Sequence, residues 1–305
     1  MAQAEEPSLS DFCVTSLQAI PGKVKLEELK TACSQAKMLE SCVSEKGVRI
    51  FHYDKMAKPD VKDGKHILVF ALIHGDEFPS GAVARSWMER LTFIEPRNSW
   101  RVVPILNPDG LKLKTRTNAN GVDVNRNFPS SDWDEKALQY WEKQMKKDKR
   151  RYPGAKANTE KETRCAIAHI DDFKPDLILS IHTPYGVLDF DGPKIAPPNF
   201  PHIPWKNLGN YPGSLGRYMW VDRSKPTLTI ELHGNKVAEK LEQFDRLQDI
   251  TGDIAIKSEK ILSEGKTKPV AVEANPIEGR DPEAAKAAGK DPVKNKPEAK
   301  DEKKQ

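Results

Sequence analysis

The run His66–Glu77, H-I-L-V-F-A-L-I-H-G-D-E, decides how this chain is read. Its first eight residues are almost wholly apolar, rich in branched and aromatic side chains, and bounded by polar turns. A run of this length and composition reads as a strand buried on both faces, as in a sheet with helices on each side. The four residues at its end are chemically different. His74 and Glu77 stand three residues apart in a tight turn eased by Gly75, so both side chains can point at one place. Two more runs that read as buried strands end the same way. Leu177–Ile181 (L-I-L-S-I) is followed by His182, and Thr227–Ile230 (T-L-T-I) by Glu231.

Outward from these runs, Val48–Tyr53 and Trp100–Leu106 read as strands, the second with Pro104 at a bulge. Asp63-Gly64 suggests a hairpin leading into His66–Ile73. Helical spacing runs over Leu26–Cys42, over Ser80–Leu91 and over Lys236–Leu262, with a partly helical charged excursion at Asp132–Arg151. Thr159 and Glu162 form a capping box that opens a helix to about Phe173. Thr183–Lys225 is long, irregular and rich in Pro and Gly. Strands alternating with helices predict an α/β fold, a mixed, mostly parallel twisted sheet flanked by helices. In such sheets the functional crevice lies outside the carboxyl ends of the strands. His74, Glu77, His182 and Glu231 are therefore expected to converge. The first three make a His₂Glu set, one used for catalytic zinc with an open position. Singly, each has a plainer reading as a hydrogen-bonded histidine or a solvated strand end. Together, those readings require several coincidences at one edge of one sheet.

The stretch Leu106–Pro129 (L-N-P-D-G-L-K-L-K-T-R-T-N-A-N-G-V-D-V-N-R-N-F-P) has no sustained apolar period. It reads as a long ordered loop with a short strand at Gly121–Val124, its asparagines and glycines suited to tight turns. Arg116 and Arg126 make it an anion-binding floor, although Arg126 could instead pair with a local carboxylate such as Asp123.

Composition sets the outer limits. Of 305 residues, 37% are hydrophobic and 31% charged, and the polarity is concentrated at the C-terminal end. Residues 265–305 are Lys, Glu, Ala, Asp and Pro with few large aliphatics, so they are expected to be disordered. The expected organisation is a flexible N-terminus at 1–12, one catalytic domain at 13–264, and that tail. A net charge of +4 spread along the chain does not argue for nucleic acid. No run approaches a transmembrane span. Met1-Ala2-Gln3-Ala4 looks like the end of a cleaved export signal, or equally an ordinary cytosolic start. The four cysteines, Cys13, Cys33, Cys42 and Cys165, contain no C-x-x-C pair. They permit one or two disulfides, or four free thiols.

Taken in order, H-G-D-E after a buried strand, N-P-D-G, T-R-T-N-A-N-G-V-D-V-N-R-N-F-P, Y-P-G-x₃-N-T-E-x-E-T, L-I-L-S-I-H and T-L-T-I-E-L resemble the zinc carboxypeptidase family. The likeness spans about Ile67 to Leu232. The His₂Glu set is that of carboxypeptidase A itself, so ligand set and resemblance are one observation rather than two. The small bacterial branch is the most similar, resembling murein tripeptide amidases that cut the γ-D-glutamyl–diaminopimelate bond. Position by position, the resemblance implies one zinc ion held by His74, Glu77 and His182, with Glu231 as general base and acid. It makes Arg116 the carbonyl-polarising arginine, and Asn125 with Arg126 the pair that holds the substrate's terminal carboxylate. For the substrate-covering tyrosine, Tyr211 and Tyr218 lie in the right loop; Tyr211 is taken as the substrate contact. The implied partner is a peptide derived from peptidoglycan, and the implied location is periplasmic or secreted, with the cytoplasm as the alternative. A diaminopimelate side chain carries both signs of charge, which makes Asp189, Asp191, Arg217, Asp222 and Arg223 candidates for its pocket. An aspartoacylase-like deacylase of N-acyl amino acids shares H-x-x-E and N-R, and a non-catalytic wall-peptide binding protein is the third reading.

Overall fold

A computed structural model of the chain describes residues 6–200, 202–234, 241–265 and 267–272. At its centre lies β2 (His66–Phe70), whose side chains alternate between two cores. Ile67 and Val69 face one apolar cluster. Leu68 and Phe70 face the other. That double burial is why the run is apolar throughout instead of alternating. Parallel to β2 lie β3 (Ser99–Val103) on one side and β4 (Leu177–His182) on the other, and β6 (Thr227–His233) pairs with β4. The edges are antiparallel: β1 (Tyr53–Lys55) on β3 and β5 (Tyr185–Asp191) on β6. The six-stranded order is β1-β3-β2-β4-β6-β5, so the sheet is mixed and mostly parallel, as predicted.

One face is covered by α1 (Leu9–Gln18), α2 (Leu26–Cys33), α3 (Phe78–Leu91) and α8 (Asp245–Ser263). The other carries α6 (Lys161–Phe173) and the segment around Tyr218 and Met219. Short α4 (Pro108–Leu113), α5 (Trp133–Lys143) and α7 (Leu215–Arg217), the last running into a π-helical turn at Tyr218–Asp222, lie in the connections. From β2 the chain turns to β3 on one side, while β4 and β6 lie on the other. The strand order therefore reverses between β2 and β4, where open α/β sheets hold their crevice.

Several local expectations change. Residues 9–12, expected to be flexible, open α1, where the Ser8 hydroxyl accepts from Asp11 N and Cys13 is bonded to Cys33. Residues 1–5 and nearly all of the expected disordered tail lie outside the described residues. Within the described part of the tail, the Val272 carbonyl accepts from Asn210 N at 3.1 Å. The Leu26–Cys42 helix stops at Cys33, because the chain then bridges Lys37 to His52 and Val43 to Arg49. The hairpin at Asp63-Gly64 does not form. β1 pairs with β3, which lies between it and β2. Strand β3 ends before Pro104. The capping box is absent: Glu160 is the N-cap, and the Glu162 carboxylate turns inward to Asn118 Nδ2 and Glu45 N. The irregular stretch after Thr183 contains β5. The described part of the last helix begins with a 3₁₀ turn at Leu241–Phe244, and 235–240 lie outside the described residues. All four cysteines are paired, Cys13 with Cys33 and Cys42 with Cys165. No helix among the described residues is long and apolar enough to cross a membrane.

Candidate functional site

The turn after β2 is set by close packing. A Cβ at Gly75 would lie 2.0 Å from the Gly110 carbonyl carbon, so two backbones touch where a side chain has no room. Gly110 belongs to α4, which Asn107 caps by accepting from Gly110 N at 2.8 Å, while Pro108 sits in the first turn. The Asn107 amide also donates to the Ile73 carbonyl at 3.2 Å. The N-P-D-G stretch thus holds the His74–Glu77 turn in place.

His74, Glu77 and His182 meet in that turn. His74 Nδ1 lies 2.8 Å from Glu77 Oε1, His182 Nδ1 lies 2.9 Å from Glu77 Oε2, and the two Nδ1 atoms are 3.1 Å apart. All three residues are buried. Without an ion, each Nδ1–H can donate to one Glu77 oxygen, but His74 must then carry protons on both nitrogens, because its Nε2 faces Asp123 Oδ1; neutral rings that donate outward leave two Nδ1 lone pairs and a carboxylate converging on one point. A cation at that point satisfies all three, so the donor set fits a metal ion. The outward nitrogens are also held: His74 Nε2 on Asp123 Oδ1 at 3.1 Å, and His182 Nε2 on Ser180 Oγ at 2.8 Å. Carboxylate and hydroxyl partners of this kind orient histidines toward a metal. Burial opposes ionisation of Glu77, yet His74 and His182 hold its carboxyl below the usual range. Glu231 is the direct ladder partner of His182, which sets its carboxylate beside the cluster.

Across the cavity stands the loop Leu106–Pro129. It is ordered by its asparagines. Asn118 Oδ1 accepts from Asn120 N and Val122 N, each at 3.1 Å. Asn127 Nδ2 donates to Pro153 O at 2.8 Å, and its Oδ1 accepts from Thr159 N at 3.0 Å. The strand expected at Gly121–Val124 is instead a 3₁₀ turn at Val124–Arg126, since Asp123 caps it by accepting from Asn125 N at 3.0 Å. Arg116, Asn125, Arg126 and Tyr211 all line the cavity with the metal cluster and Glu231. Arg126 lies 4.0 Å from the Tyr211 ring centre. Asn125 Oδ1 accepts from Leu215 N at 2.9 Å, tying this loop to the one that carries Tyr211. Tyr218 stacks on Phe128 and bonds Arg223, away from the cavity.

Asp123 is the residue whose role the sequence hides. In the sequence it stands only as a local carboxylate near Arg126. In the fold it is fully buried between Arg116, whose Nε donates to it at 2.9 Å, and His74. Burial raises its carboxyl, but Arg116 and His74 hold it well below the usual range. The signal was present in D-V-N-R, where an Asp two residues before Asn125 suits an Asx turn. The Asp76–Arg150 pair, 2.8 Å apart at the cavity rim, was also not anticipated. Among the pocket candidates, Asp189 and Asp191 line the cavity. Arg217 lies behind it, paired with Asp132, and Asp222 and Arg223 face outward to Ser131 N and Asp171.

Fold and site together define an α/β protein with a buried His₂Glu cluster that could hold a metal ion, and an arginine-lined cavity. The chain belongs to the zinc carboxypeptidase family, whose model matches residues 25–191. It is 36% identical to murein peptide amidase A of Escherichia coli over 124 residues, 40% of this chain and 50% of that protein. It is 31% identical to murein peptide amidase A of Vibrio campbellii over 180 residues, 56% of this chain and 71% of that one. The match thus spans about half the length of the E. coli protein. Among solved structures, the fold is shared with murein-tripeptide amidase from E. coli at a TM-score of 0.51 and 21% identity, covering 68% of this chain and 87% of that one. It is also shared with bovine thrombin-activatable fibrinolysis inhibitor at a TM-score of 0.58 and 12% identity, covering 84% and 97%.

Proposed function

We propose that the chain is a zinc-dependent carboxypeptidase that cuts the peptide bond next to a free C-terminal carboxylate. Its proposed substrate is a peptidoglycan stem peptide, cut between γ-D-glutamate and diaminopimelate. The observation that carries the reading is the His74–Glu77–His182 cluster with Glu231 beside it and Arg126 across the same cavity. The names of the relatives support the substrate class. His74, Glu77 and His182 would hold one zinc ion, which when bound supplies a Lewis acid for the scissile carbonyl and the attacking water.

The chain's own groups do the rest. Glu231 takes the proton from the attacking water and returns it to the leaving amine. Arg116 donates to the oxygen that gains negative charge; Asp123 fixes its guanidinium by the Nε contact at 2.9 Å, and Nη1 lies 3.5 Å from Glu77 Oε1, which keeps the group beside the cluster. Arg126, with Asn125, pairs with the terminal carboxylate. A peptide continuing past that residue would set a neutral amide against Arg126, which is why only chain ends are cut. Tyr211, lying over Arg126, covers the bound end. The two disulfides support an oxidising compartment, the periplasm or the exterior. The complete ligand set and Glu231 count against a purely binding role.

The test is incubation of L-Ala-γ-D-Glu-diaminopimelate with zinc-loaded and chelated protein, products identified by mass. Free diaminopimelate is expected only with metal. Glu231→Gln is expected to retain one equivalent of zinc and lose about 10²–10⁴-fold in kcat. Near-normal turnover by that variant overturns the mechanism.

A further inference from the structure

The Cys42–Cys165 bond joins the segment before β1 to α6, inside the apolar cluster on that face of the sheet, and both cysteines are fully buried. One turn further along α6 stands His169, also fully buried. Residues four apart on a helix share a face, so the Cys165 sulfur and the His169 ring stand side by side. The two sulfurs and one His169 nitrogen lie within 4.8 Å of one another. Donors around one zinc ion, each about 2.0–2.3 Å from it, are at most about 4.6 Å apart, so the three stand close to ligand spacing. Cys13 and Cys33 have no such third donor among the described residues.

His169 is the anomaly. Among the described residues, neither of its ring nitrogens has a hydrogen-bond partner. Each nitrogen is a donor or an acceptor, and leaving both unmet in an apolar core is costly. The ring meets His52 edge-on with centres 4.8 Å apart. His52 Nδ1 is unpartnered as well, while its Nε2 lies 3.6 Å from Asp54 Oδ2. Packing gives no reason for two imidazoles here, since aliphatic side chains would fill the space without unmet nitrogens. Burial, with His52 and Arg101 adding to it, brings the His169 pKa down to about 3. At neutral pH its ring is therefore uncharged and keeps a lone pair, the form in which histidine binds metal.

We infer that in the reduced chain Cys42, Cys165 and His169 form a second metal site, for a thiolate-seeking divalent ion such as zinc, and that the disulfide and this site are two states of one cross-link. The inference shares no residue with the His74–Glu77–His182 cluster and does not rest on the carboxypeptidase reading. A dithiol reductant gives two electrons and two protons to the disulfide, becomes a disulfide itself, and leaves two thiols. The ion then displaces both thiol protons, and the thiolates bind it together with a His169 nitrogen. In reducing surroundings the ion holds Cys42 to Cys165 across their 123-residue separation; in oxidising ones the covalent bond does.

The test uses the full chain, unfolded, reduced with a phosphine, and refolded without oxygen in the presence and absence of cobalt(II). The His74–Glu77–His182 cluster contains no sulfur, so a thiolate-to-cobalt charge-transfer band reports only a cysteine site. That band is expected in the reduced wild type, with one equivalent more cobalt than the disulfide-bonded protein holds, and zinc is expected to displace it. The Cys42→Ser/Cys165→Ser double variant is expected to lose the band, and His169→Gln to weaken cobalt binding at it by at least about tenfold. Cys13→Ser/Cys33→Ser is expected to leave it intact. Circular dichroism follows the fold of each. A reduced chain that refolds only with cobalt supports the inference, because binding is then linked to folding. Absence of the band in the reduced wild type, folded or not, overturns it. So does a band that is lost with Cys13 and Cys33, or one unaltered by His169→Gln.

Discussion

Asp123→Asn probes a buried carboxylate that joins the His74–Glu77–His182 cluster to the arginine loop. The change keeps the shape and removes the charge. Asp123 Oδ2 lies 2.9 Å from Arg116 Nε. At an effective dielectric near 20, that contact has a gross attraction of about 6 kcal/mol, part of which offsets desolvation of the two groups. Removing one partner leaves the part-buried Arg116 guanidinium against a neutral amide, with Glu77 Oε1, 3.5 Å from Nη1, as its remaining carboxylate. The cost therefore falls below the 3–5 kcal/mol, roughly, of a charge left wholly unpaired and nearer the about 1.5–3 kcal/mol of one charged hydrogen bond. The new NH₂ also meets a donor whichever way it turns. Arg116 Nε lies on one side, and Asn125 N with His74 Nε2 on the other. Loss of a carboxylate behind a metal-binding histidine lowers affinity by about 10–100-fold. Two measurements separate the effects. Urea unfolding in chelator reports the ion pair without metal linkage, and competition with a chromogenic chelator reports zinc affinity. A stability loss below about 1 kcal/mol together with zinc affinity within twofold of wild type would refute the role given to Asp123.

Three further outcomes are expected. Arg126→Ala should raise KM by about 10–100-fold for peptides with a free C-terminal carboxylate; an unchanged KM removes its assigned partner. The Cys42–Cys165 bond spans 123 residues and Cys13–Cys33 spans 20, so replacing the first pair with serine should cost about 5 kcal/mol and the second about 3 in urea unfolding. The reverse order would show that chain entropy is not the main contribution. Burial pushes Glu89 from its ordinary value near 4.5 to about 7. Between those values the folded state binds more protons than the unfolded one, so Glu89 makes stability fall as pH rises from about 4.5 to 7. Glu89→Gln should flatten that part of the stability profile, and an unaltered slope would count against the burial argument.

Much of this protein is determined by its sequence alone. The nearly continuous apolar run ending at His74 announces a buried parallel strand, because only a strand covered on both faces needs so unbroken a run, and the shorter strand runs ending at His182 and Glu231 lie in the same sheet. Their last residues then fall at one edge, as the ladder pairing of His182 with Glu231 bears out. The loop's order was also legible from its asparagines. Short elements were not. Pro108–Leu113 is too brief for a helical period to register, and β5 hides among glycines and prolines, its buried Asp189 and Asp191 breaking the apolar pattern. Tertiary structure alone decided that Asp123 serves Arg116 and His74, that Tyr211 and not Tyr218 reaches the cavity, and that Asp191 is held by Asn210 beneath Gly216. The reason is physical. Strand burial follows from local composition, but which charge meets which depends on residues up to about a hundred positions apart, brought together only when the sheet and its two helical layers close.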